Sequence, residues 1–259
     1  MTTALPPKRL PTLFVMLALC LAACGSPRAG GTASPSSPST ATTTASTTPS
    51  PHAADLIRQA SRTLREMRAA SPRQSLDYWL EDARGVIILP GVYQAGFFYS
   101  LHGGEGVVLA RKTDGTWSSP AFMSVGGAGY GLQAGLEKSR VLLVINEQEA
   151  LAEILANGLS LDFSAKYDIV SVREVTGPDS LTRGKPVVAV SDGVGIMAGI
   201  AVRGGMLTEN APLGAGYYGQ GQGDAQAIFL AGGIPGLEVL ELWDALRVSL
   251  PQQAIQRAQ

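Results

Sequence analysis

Apolar and polar positions first follow a helical period between Ala53 and Ala70. Five apolar side chains recur there at steps of three or four residues, which places them on one side of a helix: Leu56, Ile57, Ala60, Leu64 and Met67. Four arginines fall on the other side: Arg58, Arg62, Arg65 and Arg68. The pattern predicts an amphipathic helix, followed by a shorter helix from Leu76 to about Asp82 with Ser75 as its cap.

Beyond Arg84 the period becomes that of strands interrupted by glycine. Residues 93–101 alternate, and His102-Gly103-Gly104 is predicted to turn a hairpin into the strand Gly106–Arg111. Asp114-Gly115 and Lys138-Ser139 are predicted as further turns. Other strands are expected at residues 117–125, 130–137, 140–145, 161–172, 187–191 and 195–203. Asn146 is expected to cap a helix at 147–156 that Gly158 ends, and helices are expected at 223–230 and 236–248.

This order of elements indicates the fold class. The strands come in runs, with helices at both ends and one in the middle, which favours α+β with an antiparallel sheet. Of the 31 glycines, 28 follow Arg84, and many lie inside predicted strands. Glycine inside a strand is typical of a bulge, a bend or a close approach of two backbones. We therefore expect a strongly curved, glycine-rich antiparallel sheet or a partly closed barrel, flanked by N- and C-terminal helices.

The first residues have the order of a secretory signal. Lys8 and Arg9 precede an apolar run from Leu13 to Ala23, which is shorter than the about 20 residues that span a bilayer. Small residues before Cys24 resemble the bacterial lipobox, so residues 1–23 are predicted to be a lipoprotein signal peptide and Cys24 to be lipidated. Two alternatives stay open: an ordinary signal peptide with an incidental cysteine, or a buried apolar helix.

Residues 24–52 are rich in Ser, Thr and Pro and have almost no charge or large apolar side chain, which is typical of an unfolded tether. Residues 53–259 fit one domain. We expect a secreted, lipid-anchored protein. Because Gly25 follows the cysteine in place of the aspartate associated with inner-membrane retention, the expected site is the outer membrane, facing the periplasm, if the host has two membranes, and otherwise the cell surface.

Charge and chemistry narrow the function classes. Without Lys8 and Arg9, 18 of the 20 basic residues remain against 21 acidic ones, a net charge near −3 that argues against nonspecific nucleic-acid binding. The two histidines are His52, in the predicted tether, and His102, in a predicted turn, so neither a metal site nor nucleophilic catalysis has support. We expect no catalytic residues, no metal and no cofactor. A hydrolase built on His102 is the weakest alternative.

Several stretches between Ala83 and Gly233 resemble the SYLF domain, which occurs in eukaryotic endocytic adaptors and in bacterial secreted proteins. They occur in the order of that family: Gly85–Pro90, Ala95-Gly96, Gly103–Arg111, Asp114–Phe122, Gly131–Gly135, Gly195–Ile200 and Tyr217–Gly219. The segment 168–184, rich in charge and turn residues, departs from the family pattern.

The resemblance implies a module that binds anionic lipids, phosphoinositides among them, with help from an amphipathic helix before the core. Some eukaryotic members also bind actin. The implied lipid-binding residues here are the four helix arginines: Arg58, Arg62, Arg65 and Arg68. The apolar side of that helix, Trp117 and Phe122 are each expected to lie in the core, with membrane contact as the alternative. The rival function is an envelope structural or protein-interaction module that is lipidated only for localisation.

Overall fold

The computed structural model describes residues 50–72, 75–96, 99–130, 135–160, 167–172, 184–192, 205–231 and 236–247. The helices of these ranges are α1 Pro51–Ala70, α2 Ser75–Asp82, α3 Gln148–Asn157, α4 Ala211–Tyr218, α5 Ala225–Ala231 and α6 Leu237–Leu246. The strands are β1 Gly85–Gly96, β2 Tyr99–Ala110, β3 Ala121–Tyr130, β4 Gly135–Ile145, β5 Leu159–Ser160, β6 Tyr167–Ser171, β7 Val187–Ser191 and β8 Met206–Glu209.

The strands form one sheet of eight in the order β5-β8-β3-β2-β1-β4-β7-β6. Every neighbouring pair is antiparallel except β6 and β7, which are parallel. The sheet curls strongly into a half-barrel, with helices on its N- and C-terminal sides. The α+β class, the antiparallel sheet and its curvature are therefore confirmed.

Both faces of the sheet are buried along its middle. The apolar side of α1 packs on one face, which we call the α1 face, against residues that include Val86, Ile88, Val107 and Leu109. The other face carries Ile87 and Val108 among others, covered by side chains of α3 and α5 such as Leu151 and Ile228. Since Leu56, Ile57, Ala60, Leu64 and Met67 are all buried, the core interpretation of the α1 stripe is confirmed.

Helix α1 begins at Pro51, two residues before the expected start of the domain, and the N–H of Ser50 donates to the carbonyl of Gly216. Proline suits the first helical turn because its missing N–H would have no partner there. The short second helix is confirmed at Ser75–Asp82.

Two predicted turns are wrong, because the residues lie inside strands. His102, Gly103 and Gly104 belong to β2 and pair with Gln94, Tyr93 and Val92 of β1. A Cβ on Gly104 would meet the carbonyl oxygen of Gly91 at 2.4 Å, and one on Gly106 would meet that of Ile88 at 2.2 Å. The register of β1 shifts between Ile88 and Gly91. These glycines therefore let β2 pack closely against a bulge rather than turn.

Lys138 and Ser139 likewise belong to β4, where they pair with Tyr93 and Val92 of β1. Strands were expected at 130–137 and at 140–145. The structure instead has the single strand β4 across residues 135–145, which includes the end of the first and all of the second. Ser139 is buried, whereas Lys138 is exposed on the α1 face. Sequence alternation alone could not separate a polar pair inside a long strand from a turn.

The predicted cap of α3 is also wrong. Glu147 occupies the N-cap position, and the side-chain amide of Asn146 donates instead to the carbonyl of Lys185 at 2.8 Å. Gly158 ends the helix with φ 75°, as expected. The strand β7 and helices α5 and α6 match predicted elements, and residues 167–171 of the strand expected at 161–172 are β6. The strand expected at 195–203 lies outside the described residues.

The sequence interpretation missed β8 and α4. Helix α4 contains Gly214 and Gly216, which disfavour a helix in isolation. It is started by Asn210, whose side chain accepts from the N–H of Leu213 at 3.1 Å and donates to Ser124 Oγ at 2.9 Å. The cap thus fastens α4 to β3.

Candidate functional site

The predicted arginines lie on the solvent side of α1, opposite its buried stripe. Arg58, Arg62 and Arg65 are exposed. Arg58 lies 3.7 Å from Asp55, one turn earlier on the helix, in an exposed ion pair. Arg65 donates to the carbonyl of Glu241 on α6 at 3.0 Å. These three guanidinium groups remain accessible to a ligand from solvent.

Arg68 differs from the other three. Its Nε donates to Asp77 Oδ1 at 2.7 Å, and its Nη1 donates to the carbonyls of Ala245 and Arg247 at 2.5 and 3.0 Å. The Asp77 side chain is only 3% exposed. Arg68 therefore joins α1, α2 and the end of α6, and its charge is neutralised inside the protein.

A cleft of about 330 Å³ lies between the solvent side of α1 and the edge of the α1 face. We call it the basic cleft. It is lined from α1 by Gln59, Arg62, Thr63 and Glu66, and from the sheet side by Pro90, Lys138, Arg140 and Asp192. Helix packing thus brings one predicted arginine, Arg62, next to two basic residues of β4.

Arg140 is held by carboxylates from two elements. Its Nε donates to Asp192 Oδ2 at 2.5 Å, its backbone N–H donates to Asp192 Oδ1 at 2.7 Å, and its Nη1 donates to Glu66. The two carboxylates outweigh its single charge. This arrangement fixes α1 to β4 and β7 and positions the wall of the basic cleft.

Arg62 and Lys138 supply the net positive charge of the basic cleft. Neither forms an ion pair within the described ranges, whereas Arg140 pairs with both Glu66 and Asp192. The Lys138 ammonium lies 5.3 Å from the centre of the Tyr93 ring. With three basic and two acidic side chains, the cleft has a net charge of +1. Chemically it can bind a small anionic group through Arg62 and Lys138, with Gln59 and Thr63 as neutral hydrogen-bonding groups.

Lys138 and Arg140 were not predicted as site residues. A signal existed, because two basic residues at i and i+2 of a strand lie on the same face. It was hidden by the assignment of Lys138-Ser139 to a turn.

The aromatic residues considered for membrane contact lie in the core. Phe122 is fully buried and Trp117 is 8% exposed. The Phe122 ring packs edge-on against Tyr217 with centroids 5.8 Å apart, and the Arg111 guanidinium lies 4.8 Å from the centre of the Trp117 ring. The core interpretation of both residues is confirmed.

The two histidines belong to different elements, α1 and β2. His52 belongs to α1 rather than to a tether, and its Nε2 is 2.7 Å from Glu105 Oε2. His102 is 5% exposed within β2. Among the residues that the structure describes, no three His, Cys, Asp or Glu side chains are grouped closely enough to hold a metal ion. In the same ranges, no helix is both long and apolar enough to cross a bilayer.

Comparison with known protein families shows which family this sequence is similar to. Residues 126–249 match the model of the Ysc84 family, described as Las17-binding protein actin regulator. Residues 126–249 of the chain are therefore similar to a Ysc84/SYLF-family domain. The resemblance inferred from the glycine-rich motifs is therefore confirmed. The family description is that of a binding protein and regulator.

Known proteins with sequences similar to this chain include animal and yeast proteins. The chain is 28% identical to SH3 domain-containing YSC84-like protein 1 of Xenopus laevis over 197 residues. This aligned stretch is 73% of this chain and 58% of that protein. It is 30% identical over 171 residues to the Rattus norvegicus protein of the same name, covering 63% and 50%. With Protein YSC84 of Saccharomyces cerevisiae it shares 32% identity over 146 residues, 55% of this chain and 31% of that protein.

The chain spans about half the length of the animal relatives it matches, so the shared part is the domain and not the whole relative. No solved structure matches the chain. Lys138, Arg140 and Asp192 lie within the residues matched by the Ysc84 model, whereas α1 precedes them. The basic cleft thus joins the Ysc84 core to the helix in front of it.

Proposed function

We propose that this Ysc84/SYLF-family domain binds the surface of membranes that contain anionic lipids and makes or breaks no bond. The observation that carries the proposal is the basic cleft, where Arg62 of α1 and Lys138 of β4 lie on one surface without a carboxylate partner among the described residues. Arg58 and Arg65 extend this surface along α1. Arg68 is not part of this surface, because its guanidinium binds Asp77 and the carbonyls at the end of α6.

Local charge supplies the attraction. Each basic residue near an anionic membrane adds about 1 kcal/mol of binding free energy within a Debye length of the surface. The whole chain has a net charge of −1, so the orientation of the domain decides whether attraction or repulsion prevails. Binding should therefore occur through the side of the domain that carries the basic cleft, and should weaken as salt screens it.

Anchoring by Cys24 completes the proposal. Acyl chains on this residue would hold the protein at a membrane, and residues 24–52 would tether the domain close to it. The expected location is the outer membrane facing the periplasm in a two-membrane host, or the cell surface otherwise. An intact mass of the native protein equal to the chain from residue 24 with its acyl groups supports the anchor. An unmodified terminus contradicts it.

Co-sedimentation with vesicles tests the domain separately from the anchor. The full chain with Cys20→Ser and Cys24→Ser is compared with the same chain carrying Arg62→Glu and Lys138→Glu. Reversal of both charges should weaken binding to phosphatidylglycerol vesicles at least about tenfold, given the contribution of each charge. Lys112→Glu is the control for charge reversal outside the basic cleft, because Lys112 is exposed beside the Asp114 turn and does not line the cleft. It reverses one charge rather than two. Equal binding by all three chains would contradict the proposal.

The second candidate is a protein-interaction module that is lipidated only for its location. It is favoured by the family description, which names Las17 binding and actin regulation, and by the relatives that share this domain. Under this candidate a polypeptide partner binds the domain, and vesicles of any composition leave it in the supernatant. Crosslinking in intact cells that gives one dominant protein partner, together with indifference to vesicles, would favour it.

A further inference from the structure

One end of the curled sheet exposes large apolar side chains on the α1 face. Leu101 is 67% exposed and Leu136 is 76% exposed, while Tyr93 and Met206 are 47% and 44% exposed. The smaller Ala95 and Ala128 are exposed too. We call these six residues the apolar sheet end. Contiguous exposed apolar surface marks an interaction site more often than scattered apolar residues do.

The strand register puts the apolar sheet end into two rows. In the outer row, Ala95 pairs with Leu101 on one side and with Leu136 on the other, and Leu101 pairs with Ala128. In the inner row, Tyr93 pairs with Lys138 of β4. Successive side chains of a strand point to opposite faces, so both rows belong to the same face.

The opposite face of these strands is buried at the same level. Gln94 and His102, which alternate with the exposed residues, are 6% and 5% exposed. At this end of the sheet, therefore, the α1 face is exposed while the opposite face is buried, so the exposure does not come from loss of packing on both faces.

Glycines keep the inner row open. Gly103 and Gly126 lie between Tyr93 and Met206 along that row. Among the described residues, the nearest atoms to a Cβ built on Gly103 or Gly126 are backbone oxygens at 3.6 and 4.0 Å. No side chain of the described residues fills the space above Gly103 and Gly126, in contrast to the crowded Gly104 and Gly106 on the other face.

Polarity changes in steps along β4. Leu136, Lys138 and Arg140 follow one another on the α1 face, each step of two residues advancing about 6–7 Å. The outermost step is Leu136, which is apolar. The next is Lys138 beside the Tyr93 ring, where the basic cleft begins, and the third is Arg140 in the wall of that cleft. A bilayer has the same order from its acyl region through the interface, where Tyr and snorkelling Lys are favoured, to the phosphates.

We propose that the apolar sheet end inserts into the interfacial region of an anionic bilayer. Leu101 and Leu136 enter the upper acyl region, Tyr93 lies at the level of the headgroups, and Arg62 and Lys138 of the basic cleft contact lipid phosphates. This inference rests on the proposed function and adds the orientation of the domain, with strand ends rather than the apolar side of α1 facing the lipid. The basic residues beside the patch favour a bilayer as its occupant over an uncharged apolar partner.

Fluorescence depth measurements test the orientation. The full chain with Cys20→Ser and Cys24→Ser carries one cysteine labelled with an environment-sensitive dye, at Leu101→Cys or, as control, at the exposed Thr113→Cys of the distant turn. With phosphatidylglycerol vesicles, the dye at 101 should shift to the blue and be quenched by lipids with spin labels in their acyl chains. The dye at 113 should change in neither respect.

A paired substitution measures the contribution of the leucines. Leu101→Ser with Leu136→Ser should weaken vesicle binding about tenfold or more, because two largely exposed leucines lose their transfer into the membrane. Leu237→Ser is the matched control, since Leu237 is 78% exposed on α6. The melting temperatures of all variants should stay close to that of the parent, as these side chains are outside the core.

The outcomes separate the two proposals. Binding that depends on Arg62 and Lys138 but leaves the dye at 101 in water overturns the insertion and leaves the proposed function standing. A blue shift at 101 that grows with protein concentration in the absence of vesicles overturns the insertion in favour of contact between two copies. Absence of any binding to anionic vesicles overturns both proposals.

Discussion

Asp77→Ala should destabilise the protein by about 2–3 kcal/mol without touching the basic cleft. In the structure, the Asp77 carboxylate is 3% exposed and accepts from Arg68 at 2.7 Å. Breaking a buried pair by removing one partner costs about 3–5 kcal/mol. The loss of stability in Asp77→Ala should lie near or below the lower end of this range, because Arg68 is 19% exposed and retains the carbonyls of Ala245 and Arg247 as acceptors.

Urea unfolding followed by far-ultraviolet circular dichroism measures this difference, with an unchanged m value as evidence that the same transition is compared. Asp55→Ala is the matched control. Asp55 lies on α1, its side chain is 53% exposed and its carboxylate is 3.7 Å from Arg58, so its removal should cost less than about 1 kcal/mol. Arg68→Gln should also destabilise the protein while the folded molecule keeps its affinity for anionic vesicles. An Asp77→Ala variant as stable as the Asp55→Ala variant would refute the structural role given to Arg68.

Three further predictions follow from single sites. Gly106→Ala should lower the free energy of unfolding by about 3 kcal/mol or more, because the new Cβ would lie 2.2 Å from the Ile88 carbonyl oxygen. Gly126→Ala should change it by less than about 1 kcal/mol. Equal losses in thermal unfolding would contradict the packing described. Burial and then Glu238 raise the pKa of Tyr217 above its ordinary value of 10.0, and burial raises the pKa of Tyr218, so the unfolded state loses protons first. The two tyrosines should therefore leave the free energy of unfolding undiminished below about pH 10 and lower it above that pH, with a shallower fall in Tyr218→Phe. An equal slope in both proteins would contradict this. Glu66→Gln removes one of the two carboxylates that pair with Arg140 and should tighten binding to anionic vesicles about fivefold in co-sedimentation, whereas weaker binding would count against the basic cleft.

Local patterns predicted α1 well because both of its sides obey one period. The buried stripe and the exposed Arg58, Arg62 and Arg65 follow directly from spacing. The fate of Arg68 could not be predicted in this way. Its partners, Asp77 and the carbonyls at the end of α6, come from other elements and meet it only after the chain has folded.

Glycine and short polar pairs misled the strand assignment for a physical reason. Gly103-Gly104 and Lys138-Ser139 have the composition of turns, but the same residues suit a strand that must pass close to a bulge or alternate between two faces. Which of the two applies depends on the neighbouring strand β1, which no local window contains. The basic cleft was hidden for the same reason, since Arg62 and Lys138 become neighbours only when α1 crosses the edge of the α1 face.

Vesicle titration of the unanchored full chain shows whether the folded domain recognises an anionic lipid surface. The chain with Cys20→Ser and Cys24→Ser is titrated with phosphatidylcholine vesicles and with vesicles that also contain phosphatidylglycerol, each at low and high salt. The domain should bind the anionic vesicles alone, and its affinity should fall as salt rises. Equal affinity for both compositions, or affinity that salt leaves unchanged, would contradict this prediction.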